Sequence, residues 1–200
     1  MRILVLLGFI FILKACGTAA PKTKNVIGPK DTETQNTTTI PKTDLVKSAP
    51  KDAVFGNYNG GNNSFYGHIR AVDKRNGKMV IAFEQKSLPP ITIDNVYGGT
   101  LSSLKLQGFD RDLLLITTKL KDPNFNKYFV YVLRNNQWKE VVNGFAIHQS
   151  HFSQANAPIS NDSGNSNNLK RYYSVFDLDA TSATGYTWRL LSESVPIENR

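Results

Sequence analysis

Cysteine is almost absent. Cys16 is the single thiol among 200 residues, so no intrachain disulfide can form and any folded part must hold by its core alone. Histidine is scarce as well, with only His68, His148 and His151. On a strand His148 and His151 would face opposite ways, and a zinc site would need His68 and a carboxylate to converge from afar. They read as ordinary surface histidines. No run is long enough to cross a bilayer. The longest apolar stretch, residues 3–13 (ILVLLGFIFIL), has eleven residues, against roughly 20 for a spanning helix. No G-x-S-x-G turn, P-loop or dinucleotide glycine motif occurs. The acids offer no pair that stands out as a glycosidase couple. No catalytic constellation and no cofactor are expected.

Charge of one sign is also thin where it would matter. The formal net charge is +8, but residues 53–200 hold 16 basic against 12 acidic side chains, spread along the chain. Nucleic-acid binding needs basic residues clustered on one face or element, so nucleic acid is not an expected partner.

What is present begins at the N-terminus. Met1-Arg2 supply a positive start, residues 3–13 an apolar middle, and small residues follow. That order is a secretory signal. Leu13-Lys14-Ala15-Cys16 resembles the lipobox of bacterial lipoproteins, with an aliphatic residue three before the cysteine and a small one just before it. Lys14 stands where that pattern usually holds a small or neutral residue. The resemblance covers residues 1–16 and implies cleavage before Cys16 and acylation of its sulfur, with membrane lipid as the first partner. Several acyl chains anchor stably, at about 0.8 kcal/mol per buried methylene. An alternative cut after Ala20 would discard Cys16 and leave Pro21 at the new terminus. By the same resemblance, Gly17 in place of aspartate implies the outer membrane. The absence of acids in residues 17–22 favours its periplasmic face.

Residues 17–52 are rich in Thr, Pro and Lys, without an aromatic residue or an apolar period. Such a stretch cannot bury enough surface to offset its ordering entropy. It reads as a flexible, disordered tether, spanning about 35 Å as a coil.

From residue 53 onward the composition becomes globular, and every aromatic except Phe9 and Phe11 lies there. The expected class is all-β: a compact antiparallel β sandwich or barrel, formed by one domain over 53–200. Strands are expected at 68–73 and 78–84 around Asn76-Gly77, then at 91–97 and 113–120. Residues 128–133 (YFVYVL) are apolar on both faces, as in a strand buried on both sides. Residues 138–142 return the chain after a turn at 134–137. Strands 172–178 and 186–191 form a final hairpin. A short helix is expected near 101–106. The glycines at 56, 60 and 61, among asparagines, read as a flexible start to the domain. Residues 153–168 read as a mobile polar loop.

The remaining candidates are weaker motifs. Asp177 and Asp179, followed by an oxygen-rich stretch to Gly185, are a possible calcium pair. Turn aspartates that bond their own backbone fit the same pattern. Asp110 and Asp112 form a second such pair. Tyr186 and Trp188 share one strand face, Tyr172 and Phe176 another, and Trp138 follows a polar turn. Rings on an exposed sheet can grip sugar faces, although most rings in a domain of this size are core. The sequence therefore supports an anchored envelope lipoprotein whose non-enzymatic β domain binds or scaffolds another envelope component, for instance as an accessory subunit of an outer-membrane complex. The alternative is a glycan-binding or glycan-cleaving envelope protein.

Overall fold

Four consecutive apolar residues, Leu113-Leu114-Leu115-Ile116, account for the layered architecture. Successive side chains of a strand point to opposite faces, so a run without polar alternation needs a core on each side. The computed structural model, which describes residues 48–154 and 157–199, supplies both. Leu114 and Ile116 lie in one apolar cluster and Leu113 and Leu115 in another. The described residues form one compact unit. The apolar run, Cys16 and residues 17–47 of the expected tether lie outside the described residues.

Among the described residues, eleven strands form three antiparallel sheets. The first sheet runs in order through β1 (Val54–Gly56), β2 (Phe65–Asp73), β3 (Lys78–Phe83) and β4 (Ile91–Asp94). The second runs through β5 (Gly99–Leu104), β6 (Leu113–Lys119), β7 (Phe125–Arg134) and β8 (Gln137–His148). The third contains β9 (Ile159–Asn161), β10 (Asn168–Leu178) and β11 (Tyr186–Pro196), with β10 in the middle. A single 3-10 turn, Gln149–His151, follows β8.

The first and second sheets face each other across Phe65, Met79, Ile81, Ile93, Leu114 and Ile116. The third sheet covers the other face of the second, where Val130, Val132, Ile147, Ile159 and Leu169 are buried. β7 serves both cores. Phe129, Tyr131 and Leu133 pack on the first side, and Tyr128, Val130 and Val132 on the second. Fully burying each such aliphatic side chain contributes about 1.5–3 kcal/mol. The result is a sandwich with a third layer. No sheet closes on itself, which removes the barrel.

Turn chemistry sets the registers. Asp73 accepts from the Arg75 and Asn76 N–H groups, both at 3.0 Å, and Gly77 follows at φ +62°. Asn135 and Asn136 take φ of 50° and 58°, as a two-residue hairpin between β7 and β8 requires. Gly99 lets β5 lie against β6, where an added Cβ would meet the Thr117 carbonyl.

Four expectations are corrected. Residues expected as a helix near 101–106 belong instead to β5 and the chain just after it. Its leucines are too few to fix a period, and pairing with β6 decides the matter. The polar stretch 153–168 carries β9, whose Ile159 is buried and pairs with Arg171. Asn161 secures it by bonding the Gln107 backbone twice, at 3.0 and 3.1 Å. The start of the domain is not loose: Tyr58 is fully buried, and Asn57 and Asp112 exchange two bonds. The expected strand 91–97 ends at Asp94, because Asn95 turns to φ 60°.

Candidate functional site

The β10–β11 hairpin is paired without a break from Asn168↔Pro196 to Leu178↔Tyr186. Residues directly opposite in an antiparallel pair share a face. Phe176 lies opposite Trp188, and Leu178 opposite Tyr186, so all four side chains project from one face. Phe176 and the Tyr186/Trp188 pair therefore do not lie on separate faces, as the sequence pattern alone suggested. Cross-strand register unites them.

The same face continues through Ser174 towards the end of the second sheet. The hydroxyl of Ser174 accepts from the His148 backbone N–H at 2.9 Å and contacts His151 Nδ1 at 2.9 Å. Phe125↔His148 is the last pair of the β7–β8 ladder. Trp188 covers that pair, stacked on His148 (4.7 Å between ring centroids, 14° between planes) and edge-on to Phe125 (5.0 Å, 82°). Phe176 lies against Trp188 at 5.0 Å and stacks on Tyr186 at 5.2 Å and 13°. The ladder of rings thus runs outward from half-buried to open. Phe176 is 57 % exposed, Leu178 67 % and Tyr186 47 %.

These three side chains sit past the last β7–β8 pair, on a face over which none of the described residues packs. Together they leave roughly 300 Å² of contiguous apolar surface open, a size found for the largest patch of many monomeric proteins. The stacked rings hold one another, so little side-chain entropy remains to be lost on docking.

The loop beyond is closed by its own bonds. Asp179 accepts from the Thr181 N–H at 2.9 Å and from its hydroxyl at 2.6 Å. These bonds, the side chain's first, hold the carboxyl below its usual range. Asp177 projects from the opposite face and pairs with Arg189 at 3.4 Å. The calcium pair read from the sequence is thus an ion-paired aspartate and a turn aspartate. Among the described residues no group of three or more His, Cys, Asp or Glu is placed to hold a metal ion.

The other residues singled out in the sequence lie elsewhere. Trp138 belongs to the first core, stacked on Phe83 at 4.5 Å and edge-on to Tyr58 at 5.6 Å. It does not join Tyr186 and Trp188. His151 is buried rather than on the surface. Asp110 is gripped by Arg111 at 2.8 Å and by Arg134 at 3.0 Å, and Asp112 is spent on Asn57.

Phe125, His148 and Leu178 were missed as members of the aromatic group. The hairpin register could have found Leu178, since a turn between Leu178 and Tyr186 sets it opposite Tyr186. Phe125 and His148 reach Trp188 only through packing of one sheet on another. The chain matches no family model, and no curated protein and no solved structure matches it.

Proposed function

We propose that the chain is an envelope lipoprotein, acylated at Cys16 and held on the periplasmic face of the outer membrane. In this reading its β domain binds another envelope protein through the open end of the β10–β11 hairpin. The supporting observation is the contiguous apolar face of Phe176, Leu178 and Tyr186, ordered by stacking and uncovered. An aliphatic side chain beside two rings suits an apolar protein surface, where burial supplies about 25 cal/mol per Å². The test is recovery of the full chain from gently solubilised membranes with a photo-crosslinking residue at position 186. A specific protein adduct that Phe176→Ser abolishes is the expected result. A chain recovered alone, or an adduct indifferent to that substitution, refutes the reading. Labelled palmitate incorporation, lost in Cys16→Ser, tests the anchor separately.

A second reading, glycan binding, rests on the exposed Tyr186 ring. It predicts sugar-dependent quenching of Trp188 fluorescence in the same Phe176-sensitive manner. Glycan cleavage has less support, because Asp177 faces away from the rings and is held by Arg189.

A further inference from the structure

Two long strands end their sheets, and they are finished differently. The outer edge of β8 is occupied by groups from the third sheet and the C-terminal residues. The Asn143 carbonyl accepts from the Arg171 guanidinium at 2.9 Å, and the His148 N–H donates to Ser174. The Glu140 and Val141 carbonyls accept from Asn199 and the Glu198 N–H, both at 2.8 Å.

Among the described residues, β11 has no such cover along its 11 residues. The Tyr172 N–H bonds Pro158, on the β9 side of β10. Even-numbered residues of β10 therefore turn towards β9 and odd-numbered ones towards β11. Antiparallel partners exchange their bonds as pairs, and here odd faces odd, as in Tyr173↔Leu191. The N–H and C=O groups of Trp188, Leu190, Ser192 and Ser194 consequently point outward, with no strand beyond them among the described residues. The row stops at both ends for chemical reasons. The Tyr186 carbonyl accepts from the Ser182 and Thr184 hydroxyls at 2.8 and 3.1 Å, and Pro196 has no N–H. Between those ends β11 lacks the bulge, lysine or proline that usually guards an exposed edge.

We propose that two copies of this chain pair along β11, antiparallel about a two-fold axis at Leu191, joining their third sheets into one of six strands. Charge complementarity selects the second copy as occupant and fixes the register. Centring on Leu191 places Arg189 opposite Glu193 of the second copy, and Glu193 opposite its Arg189. Within each sheet Arg171 already pairs with Glu193, so signs alternate across the joined sheet. Sliding one copy by a single pair sets Leu191 against Arg189 or Glu193 and loses both ion pairs. The centred register also covers Leu191, now 40 % exposed, sets β-branched Thr187 opposite Val195, and forms about eight backbone hydrogen bonds. A self-complementary edge of this kind is isologous and closes at two copies. It leaves Phe176 and Leu178 on β10 uncovered but sets Tyr186 opposite Pro196 of the second copy, so an adduct at position 186 with the mass of this chain reports the dimer, and one with a different protein that Phe176→Ser abolishes reports the partner proposed above.

The test uses the purified full chain in detergent. Sedimentation equilibrium is expected to show a dimer with Kd below about 100 μM. Ser192→Pro removes an outward N–H and spares the ladder to β10, and is expected to raise Kd at least about ten-fold. Under mild oxidation Leu191→Cys should form an intermolecular disulfide, since a residue facing itself in a non-hydrogen-bonded pair has Cα atoms about 4.5 Å apart, within disulfide reach. Thr187→Cys and the wild type should not, because residue 187 meets residue 195 and not itself. The Leu191→Cys link, unlike the proline variant, does not depend on an altered backbone. A monomeric wild type at that concentration, a dimer unmoved by Ser192→Pro, or equal crosslinking through residue 187 overturns the proposal. So does a different protein held by the wild type and released by Ser192→Pro, which would assign the edge to a foreign strand.

Discussion

Trp188 lies flat on His148, with ring centroids 4.7 Å apart and planes 14° from parallel. This stack joins the β10–β11 hairpin to the end of the second sheet, and the exposed rings build outward from it. On the proposed reading, structural and recognition roles separate along one ladder. Trp188→Ala is expected to lower unfolding stability by about 2 kcal/mol, as a half-buried large side chain should. Phe176→Ser, at 57 % exposure, is expected to cost less than about 1 kcal/mol. Urea unfolding of the two variants measures the difference; equal losses would show that the outer rings are structural too.

Ile159 is buried although it stands in a stretch of Ser, Asn and Gly. It plugs the second core from β9, beside Leu169. Ile159→Ala should therefore cost about 2–4 kcal/mol, as in other cores. A loss below about 0.5 kcal/mol in chemical denaturation would return this segment to the status of a loop.

The phenol of Tyr58 is pushed up to about 12 from its ordinary 10.0, chiefly by burial. Burial also raises Tyr131, with Glu140 beside it adding to the effect. A raised folded-state value means that the stabilisation is complete below pH 10 and is lost as pH rises towards 12. Stability should thus be level on the approach to pH 10 and fall beyond it. Tyr58→Phe loses a long bond to the Val54 carbonyl, 3.3 Å, and a side-chain bond with Ser103, and should flatten part of that fall. Unfolding curves at stepped alkaline pH, with phenolate absorbance as a second readout, check both statements.

Asp110 runs the other way. Its hydrogen bonds to Arg111 first, and to Arg134, hold its carboxyl well below the ordinary 3.8. A depressed folded-state value means that the contribution is present above pH 3.8 and is lost as pH falls through the lower value. The side chain is 62 % exposed, so solvent screening keeps the effect on stability small. The carboxyl resonance of Asp110 should titrate well below the ordinary aspartate value of 3.8, and raising salt should narrow the gap. A midpoint at the ordinary value would show that the two arginines do not hold it in solution.

Much of the strand plan was legible because period-two alternation and turn residues are local properties. Residues 128–133 announced a strand buried on both sides, and β7 is that strand. Asn76-Gly77 and Asn135-Asn136 marked their hairpins through backbone angles those residues tolerate. β5 and β9 were not legible. Each is short, poor in β-branched residues and held by a partner strand remote in its own signal. Likewise Tyr186 and Trp188 were visible as a pair on one strand, whereas their contacts with Phe125 and His148 join segments about 40–60 residues apart.

By itself the sequence determined an all-β chain, the strands with strong alternation, and the need for two cores around Leu113–Ile116 and 128–133. Those follow from side-chain period and turn stereochemistry, which act over a few residues. Only the tertiary structure decided that the layers number three, that Trp138 is core while Tyr186 is open, and that β8 is a covered edge while β11 is bare. These outcomes depend on which distant segment arrives to bury a face or bond an edge, and no local pattern encodes that meeting.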